Sequence, residues 1–170
     1  MGPLFGGSNP STPANQSRKI MTDKDKIKWL EEKVDFLSRN YVTGLHGRHV
    51  FMQRIREKFN EKKPFFLAMH DVDGLHEVNR THGYAAGDAL LREVANDLKM
   101  CQEPCCVFHI GGDEFYVLYS NKPDRMSCAN TTVGIVKSTE HKSVDTMLDA
   151  VDNLVSEEKL RTKKRRREDV

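Results

Sequence analysis

Apolar residues change their spacing several times along this chain, and each change marks an element. Ile27, Leu30, Val34, Leu37 and Tyr41 recur at steps of three and four with charged residues between them, which predicts an amphipathic helix. Thr22 or Asp23 supplies a side-chain oxygen to cap its first exposed N–H groups. Two heptads fit a helix packed on its own domain and a dimerising helix equally well. Beyond the glycine-bearing VTGLHGR, helical spacing returns through Val50, Phe51, Ile55 and Phe59, and Pro64 closes the linker. FFLAMHDV (65–72) is then mostly apolar, as a buried central strand requires. The polar DVDGLHEVNRTHG reads as a connection. A helix follows with Ala89, Leu90, Leu91, Val94, Ala95 and Leu98 on its inner side and Asp88 near its start.

CVFHI (106–110) and EFYVLYS (114–120) are strand-like runs joined by GGD, the pattern of a hairpin. Ten turn-like residues, 121–130, lead to a further strand, TTVGIVK (131–137). Val144, Met147, Leu148, Val151, Leu154 and Val155 mark one face of a last helix over 143–160. Strands outnumber their crossovers, so the pattern predicts an α+β fold with helices on one face of a mainly antiparallel sheet. No internal repeat occurs.

Composition narrows the class. The 170 residues suit one domain, and 38% hydrophobic with 31% charged residues supports a globular core. The net charge of +2 conceals an asymmetry. RTKKRRREDV (161–170) and the pair Arg18–Lys19 hold the excess, leaving 19 basic against 23 acidic groups in residues 20–160, a net of −4. An acidic body disfavours nucleic acid as a partner except through the basic tail. Residues 1–19 read as a flexible leader, 20–39 as the amphipathic helix, 40–160 as the domain and 161–170 as the tail. No run of 18 apolar residues offers a membrane span, and the N-terminus lacks a secretory pattern. Cys101, Cys105, Cys106 and Cys128 lack zinc-site spacing, so reduced cysteines and an intracellular, cytoplasmic setting are expected. KKRRR fits a solvated helix end, and in a eukaryotic source also nuclear targeting.

Two acidic clusters carry the candidate chemistry. Asp71 and Asp73 end an apolar strand, while Asp113 and Glu114 follow a Gly-Gly turn between two strands. Carboxylates on adjacent strand ends can converge on Mg²⁺ or Mn²⁺, hard cations that keep phosphates as co-ligands. Gly111 and Gly112 leave room for a phosphate beside the backbone. Spacing alone fits solvated turn carboxylates as well as a metal site.

With these residues in place, the chain resembles the GGDEF family of diguanylate cyclases. Gly111–Gly112–Asp113–Glu114–Phe115 is that family's signature, and three further pieces stand in the same order. They are Thr43–Gly44–Leu45 with Arg48, Asp71–Val72–Asp73 followed by Asn79, and Gly83 with Gly87–Asp88. The resemblance implies a ferredoxin- or palm-like antiparallel sheet, as in the nucleotidyl cyclases. It also implies condensation of two GTP molecules to cyclic di-GMP and pyrophosphate. In it, Asp71, the Val72 carbonyl and Asp113 hold divalent metal, Glu114 helps activate the 3′-hydroxyl, and Asn79 with Asp88 recognises guanine. A homodimer through the N-terminal helix is the expected assembly.

The departures are specific. His76 stands where relatives carry a phosphate-directed lysine, and His109 where an arginine precedes the glycines. Glu157 and Glu158 fall where Ala-Lys is expected in the last helix, so Lys159 is displaced by one position, with Arg161 or Lys163 as substitutes. Gln102 and Cys105 replace a product-inhibition motif. Residues 121–130 are too short for the helix that family members place between the last two core strands, which predicts a sheet face left bare, or covered by the N-terminal helices, a protein partner or a second copy. An alternative function follows from these losses: a guanine-nucleotide sensor or interaction scaffold without catalysis.

Overall fold

The computed structural model describes residues 21–100, 106–123 and 128–168. The chain divides into two compact units after Val34. Helix α1 (Asp23–Leu37), whose last three residues belong to the second unit, begins at a capping box. Thr22 Oγ1 accepts from the Asp25 N–H, and Asp25 Oδ2 accepts from the Thr22 N–H, each at 3.2 Å. No residue of α1 is buried.

The second unit runs α2 (Arg48–Asn60), β1 (Phe66–Val72), α3 (Leu75–His82), α4 (Tyr84–Met100), β2 (Cys106–Gly111), β3 (Glu114–Tyr119), β4 (Thr131–Lys137), a 3-10 turn (Ser138–Glu140) and α5 (Val144–Glu168). The four strands are ordered β2-β3-β1-β4, and every neighbouring pair is antiparallel. β1 thus lies inside the sheet, as its continuous apolar run requires.

Helices cover both faces, not one. Alternation sends Leu67 and Met69 of β1 to one side, where they pack with Phe51 and Ile55 of α2 and Met147, Val151 and Val155 of α5. Phe51 stacks on Tyr116 with ring centres 4.6 Å apart. Ala68 and Val72 face the other way, against Leu91, Val94, Ala95 and Leu98 of α4. A strand with consecutive buried residues must be covered twice, so the one-sided arrangement expected from pattern gives way. The expected bare patch shrinks to β4, where Thr131, Val133 and Ile135 stay half-buried between fully buried neighbours. The described residues between β3 and β4 form no helix, and 124–127 lie outside the described residues.

Four features of the elements also differ from expectation. LHEVNRTH forms α3 instead of a connection; within its eight residues only Leu75 and Val78 are apolar, too few to mark a helix among polar neighbours. Gly74 at φ 72° and Gly83 at φ 82° bracket it, backbone angles that glycine adopts without strain. α4 starts at Tyr84, which puts Asp88 in its second turn. α1 ends at Leu37, and Asn40 Oδ1 then accepts from the Val42 and Thr43 N–H groups, so Tyr41 sits in a turn beyond the seam. At the other end α5 continues through Arg161 to Glu168, making the basic segment part of a helix.

Candidate functional site

The acidic cluster is assembled by strand register. Asp71, at the end of β1, lies opposite Glu114 of β3 on one side and Thr132 of β4 on the other. The Val72 N–H donates to the Asp113 carbonyl at 2.9 Å, tying the end of β1 to the glycine turn. Thr132 Oγ1 donates to Asp73 Oδ1 at 2.7 Å, which holds that carboxylate toward β4. Thr132 was not singled out from sequence, because only the register of β4 against β1 reveals it.

Lys159 of α5 reaches Asp71, its Nζ 2.5 Å from Oδ2. The one-position displacement expected from the linear pattern therefore does not keep this lysine from the cluster; a four-carbon stem and the close seat of α5 carry it there. That seat depends on Gly134. A Cβ at this position would meet the Val151 carbonyl at 2.9 Å and Leu154 Cβ at 3.0 Å, so only glycine lets α5 approach β4 this closely. Arg161, by contrast, pairs with Glu158 at 2.9 Å and remains exposed. It lines a groove of about 590 Å³ with Asp73, Thr132 and Glu157.

Burial sets the electrostatics. The Asp71 side chain is 10% exposed, and burial raises its carboxyl above the ordinary value of 3.8. Lys159 opposes that rise, while Asp113 and Asp73 add to it. Burial likewise raises Glu114, with Asp113, Asp71 and Asp152 pushing the same way and Arg48 opposing. Arg48 and Asp152 share with Glu114 a cavity of about 240 Å³ floored by Phe51 and Ile110.

Asp71 Oδ1 is buried and accepts no hydrogen bond from the described residues. An orphaned carboxylate oxygen amid further carboxylates is a donor set that a hard divalent cation satisfies. Among the described residues no three His, Cys, Asp or Glu side chains form a ready-made cage. Magnesium seldom needs one, since it binds through one or two carboxylates and completes its shell with water and substrate phosphates. Asp71, Asp113 and the Val72 backbone fit that requirement.

Asn79 and Asp88 stand on α3 and α4. Gly87 fixes the first of them: a Cβ there would fall 1.9 Å from Asn79 Oδ1. Both side chains are half-buried, and Asp88 lies 3.8 Å from Arg92. The two histidines differ from each other. His76 is exposed on α3. His109 is 2% exposed and stacks on Phe115 at 4.3 Å, so it faces the core. The backbone of Gly111 (φ 153°) and Gly112 (φ 57°) forms the turn that brings Asp113 round.

Known proteins resemble this chain in sequence and in fold. A family model described as the diguanylate cyclase GGDEF domain matches residues 39–133. Diguanylate cyclase A of Treponema denticola is 29% identical over 119 residues, which span 65% of this chain and 32% of that protein. Diguanylate cyclase DgcZ of Escherichia coli is 30% identical over 90 residues, 51% of this chain and 30% of that protein. The chain thus spans about a third of the length of these curated relatives. Among solved structures, the coiled coil and GGDEF domain of DgcB from Caulobacter crescentus, in complex with c-di-GMP, superposes with a TM-score of 0.70 at 18% identity, covering 80% of this chain and 87% of that one. The S helix-GGDEF-EAL segment of Vibrio cholerae LapD, bound to c-di-GMP, gives 0.70 at 20% identity over 84% of this chain and 39% of that one. At such identity these two likenesses speak for the fold.

Proposed function

The chain belongs to the GGDEF domain family, and from that premise we propose that it condenses two GTP molecules into cyclic di-GMP with a divalent cation, Mg²⁺ or Mn²⁺. The observation that carries this reading is Asp71. It is a buried carboxylate opposite Glu114, tied through Val72 to Asp113, with one oxygen on Lys159 and the other without a donor. Such a cluster is costly without a cationic ligand, because burial and like charges both disfavour ionisation.

In this reading Asp71, Asp113 and the Val72 carbonyl hold the cation. When bound, it would neutralise charge on the transferring phosphate and acidify the attacking hydroxyl. Gly111 and Gly112 admit the phosphates beside the backbone, and Lys159 contributes a positive charge beside Asp71. Arg161 and His76 stand farther out, as exposed groups on α5 and α3. Asn79 and Asp88 offer an amide and a carboxylate to the guanine edge. Glu114, with its carboxyl raised by burial, is suited to take the 3′-hydroxyl proton. Each 3′-oxygen then forms a bond to the α-phosphorus of the facing GTP. The bond from that phosphorus to the β-phosphate oxygen breaks, and pyrophosphate leaves. Two copies must face each other, and the exposed apolar seam of α1 is the surface proposed to pair them. Incubation of the purified chain with GTP and Mg²⁺ is expected to give cyclic di-GMP by mass spectrometry, and Asp113→Asn to abolish it. Unchanged GTP from a folded dimer would sink the reading.

A second reading is favoured by Arg161, whose charge is engaged by Glu158, and by the half-buried flank of β4. With Lys159 as the close cation, the domain would hold a guanine nucleotide without turning it over and act as a sensor or scaffold. Calorimetry showing metal-dependent GTP binding without product would select it.

A further inference from the structure

Between the Thr-Gly-Leu segment and the glycine turn lies a buried imidazole that the reaction outlined above does not use. His109 Nε2 is 3.1 Å from the Gly112 carbonyl and its Nδ1 is 3.2 Å from Thr43 Oγ1. A carbonyl oxygen can only accept, so Nε2 carries the proton and Nδ1 of the neutral ring accepts from the Thr43 hydroxyl. The ring lies parallel to Phe115, 8° from coplanar, and the His109 N–H donates to the His46 carbonyl at 3.0 Å. The side chain is therefore clamped at both nitrogens and on one face.

The consequence falls on Asp113. The peptide preceding this residue ends in the Gly112 carbonyl, held by His109. The peptide following it ends in the Asp113 carbonyl, held by the Val72 N–H at 2.9 Å. With both flanking peptides fixed, the Cα–Cβ bond of Asp113 has a single direction. The sheet helps: register shifts between His109 and Gly111, an irregularity that inserts Ile110 opposite no partner and re-aims the residues beyond it. Glycines with positive φ at 111 and 112 would otherwise leave the turn free to pivot.

We propose that His109 is a positioning residue: braced by Thr43, its neutral imidazole grips the Gly112 carbonyl and fixes the direction in which Asp113 presents its carboxylate. Burial lowers the basicity of the ring, against the opposing pull of Gly112 and Asp113, in keeping with a neutral donor–acceptor role. The histidine thus puts an internal brace where the resemblance places an arginine. The ligand half of the claim rests on the cyclase reading; the geometric half does not.

The test separates them by two readouts on the full chain. Amide exchange of Val72, which donates to Asp113, reports the turn without any ligand. His109→Phe keeps a ring on Phe115 and removes both hydrogen bonds. It is expected to speed Val72 exchange about tenfold and to weaken Mn²⁺ binding by about 10- to 100-fold, the usual effect of losing an outer support. His109→Gln, whose amide N–H reaches the Gly112 carbonyl, is expected to restore most of both. Unchanged Val72 exchange in folded His109→Phe, or a Gln variant no better than Phe, overturns the proposal. Should His109→Phe fail to fold, nitrogen-15 spectra of the wild type decide. The proposal requires the Nε2–H tautomer at pH 7, with Thr43→Val speeding Val72 exchange by a smaller factor; an Nδ1–H tautomer or an imidazolium overturns it. A wild type that binds neither Mn²⁺ nor GTP overturns the cyclase reading, and Val72 exchange then decides the role of His109 alone.

Discussion

His70 and Asp71 are neighbours on β1 whose side chains leave by opposite faces, and burial drives their titration in opposite directions. It raises the Asp71 carboxyl and lowers the His70 imidazole to about 4. Both shifts disfavour the charged form, but only Asp71 has groups around it that a cation could use; His70 has Thr131 Oγ1 at 3.2 Å. His70 gives a pH dependence of known sign. Between its ordinary value of 6.5 and about 4 the unfolded chain binds a proton that the folded chain refuses. Stability is therefore complete above pH 6.5 and is lost as pH falls toward 4, by about 3 kcal/mol at roughly 1.4 kcal/mol per pH unit. Urea unfolding at pH 7 and pH 4.5 should show this loss in the wild type and much less of it in His70→Gln. An equal loss in both would assign the acid sensitivity elsewhere.

One element, α5, carries Lys159 to the cluster, and it does so because of a glycine on another element. Val151, Leu154 and Val155 close over Gly134 at distances that leave no room for a methyl group. Gly134→Ala is expected to cost about 1–3 kcal/mol through overpacking. It should also lift the C-terminal half of α5, raising the Mg²⁺ or GTP concentration needed for half-saturation. Chemical denaturation and calorimetry on the same variant check the two effects, and a wild-type denaturation midpoint would refute the packing argument. At this scale sequence and structure agree where burial leaves a trace. The run TTVGIVK became β4 residue for residue, since alternation is written into it. LHEVNRTH is harder to read, because its only apolar positions are Leu75 and Val78, both half-buried, and its charges pair locally, Glu77 with Arg80 at 2.6 Å.

For the whole molecule, assembly is the property that the fold of one chain leaves to a surface. Ile27, Leu30, Val34 and Leu37 of α1 are all exposed, the last at 79%. With its apolar positions at heptad spacing left open, this seam is proposed to meet its like in a second copy. Replacing Val34 and Leu37 by glutamate is expected to convert dimer to monomer in sedimentation and to lower cyclase rate per chain severalfold at micromolar protein. Unaltered sedimentation would assign pairing to another surface. What the amino-acid sequence determined by itself was chemistry held in contiguous order: GGDEF, the Asp-Val-Asp pair, the alternation of the strands, and through them the family. Only the tertiary structure decided which of these groups meet. Asp71 faces Glu114 through strand register, Lys159 reaches Asp71 because α5 sits close on Gly134, and His109 turns inward to Thr43, 66 positions earlier in the chain. Local spacing records which face a residue takes, whereas a contact between distant segments depends on how whole elements pack, and no run of neighbouring residues encodes that distance.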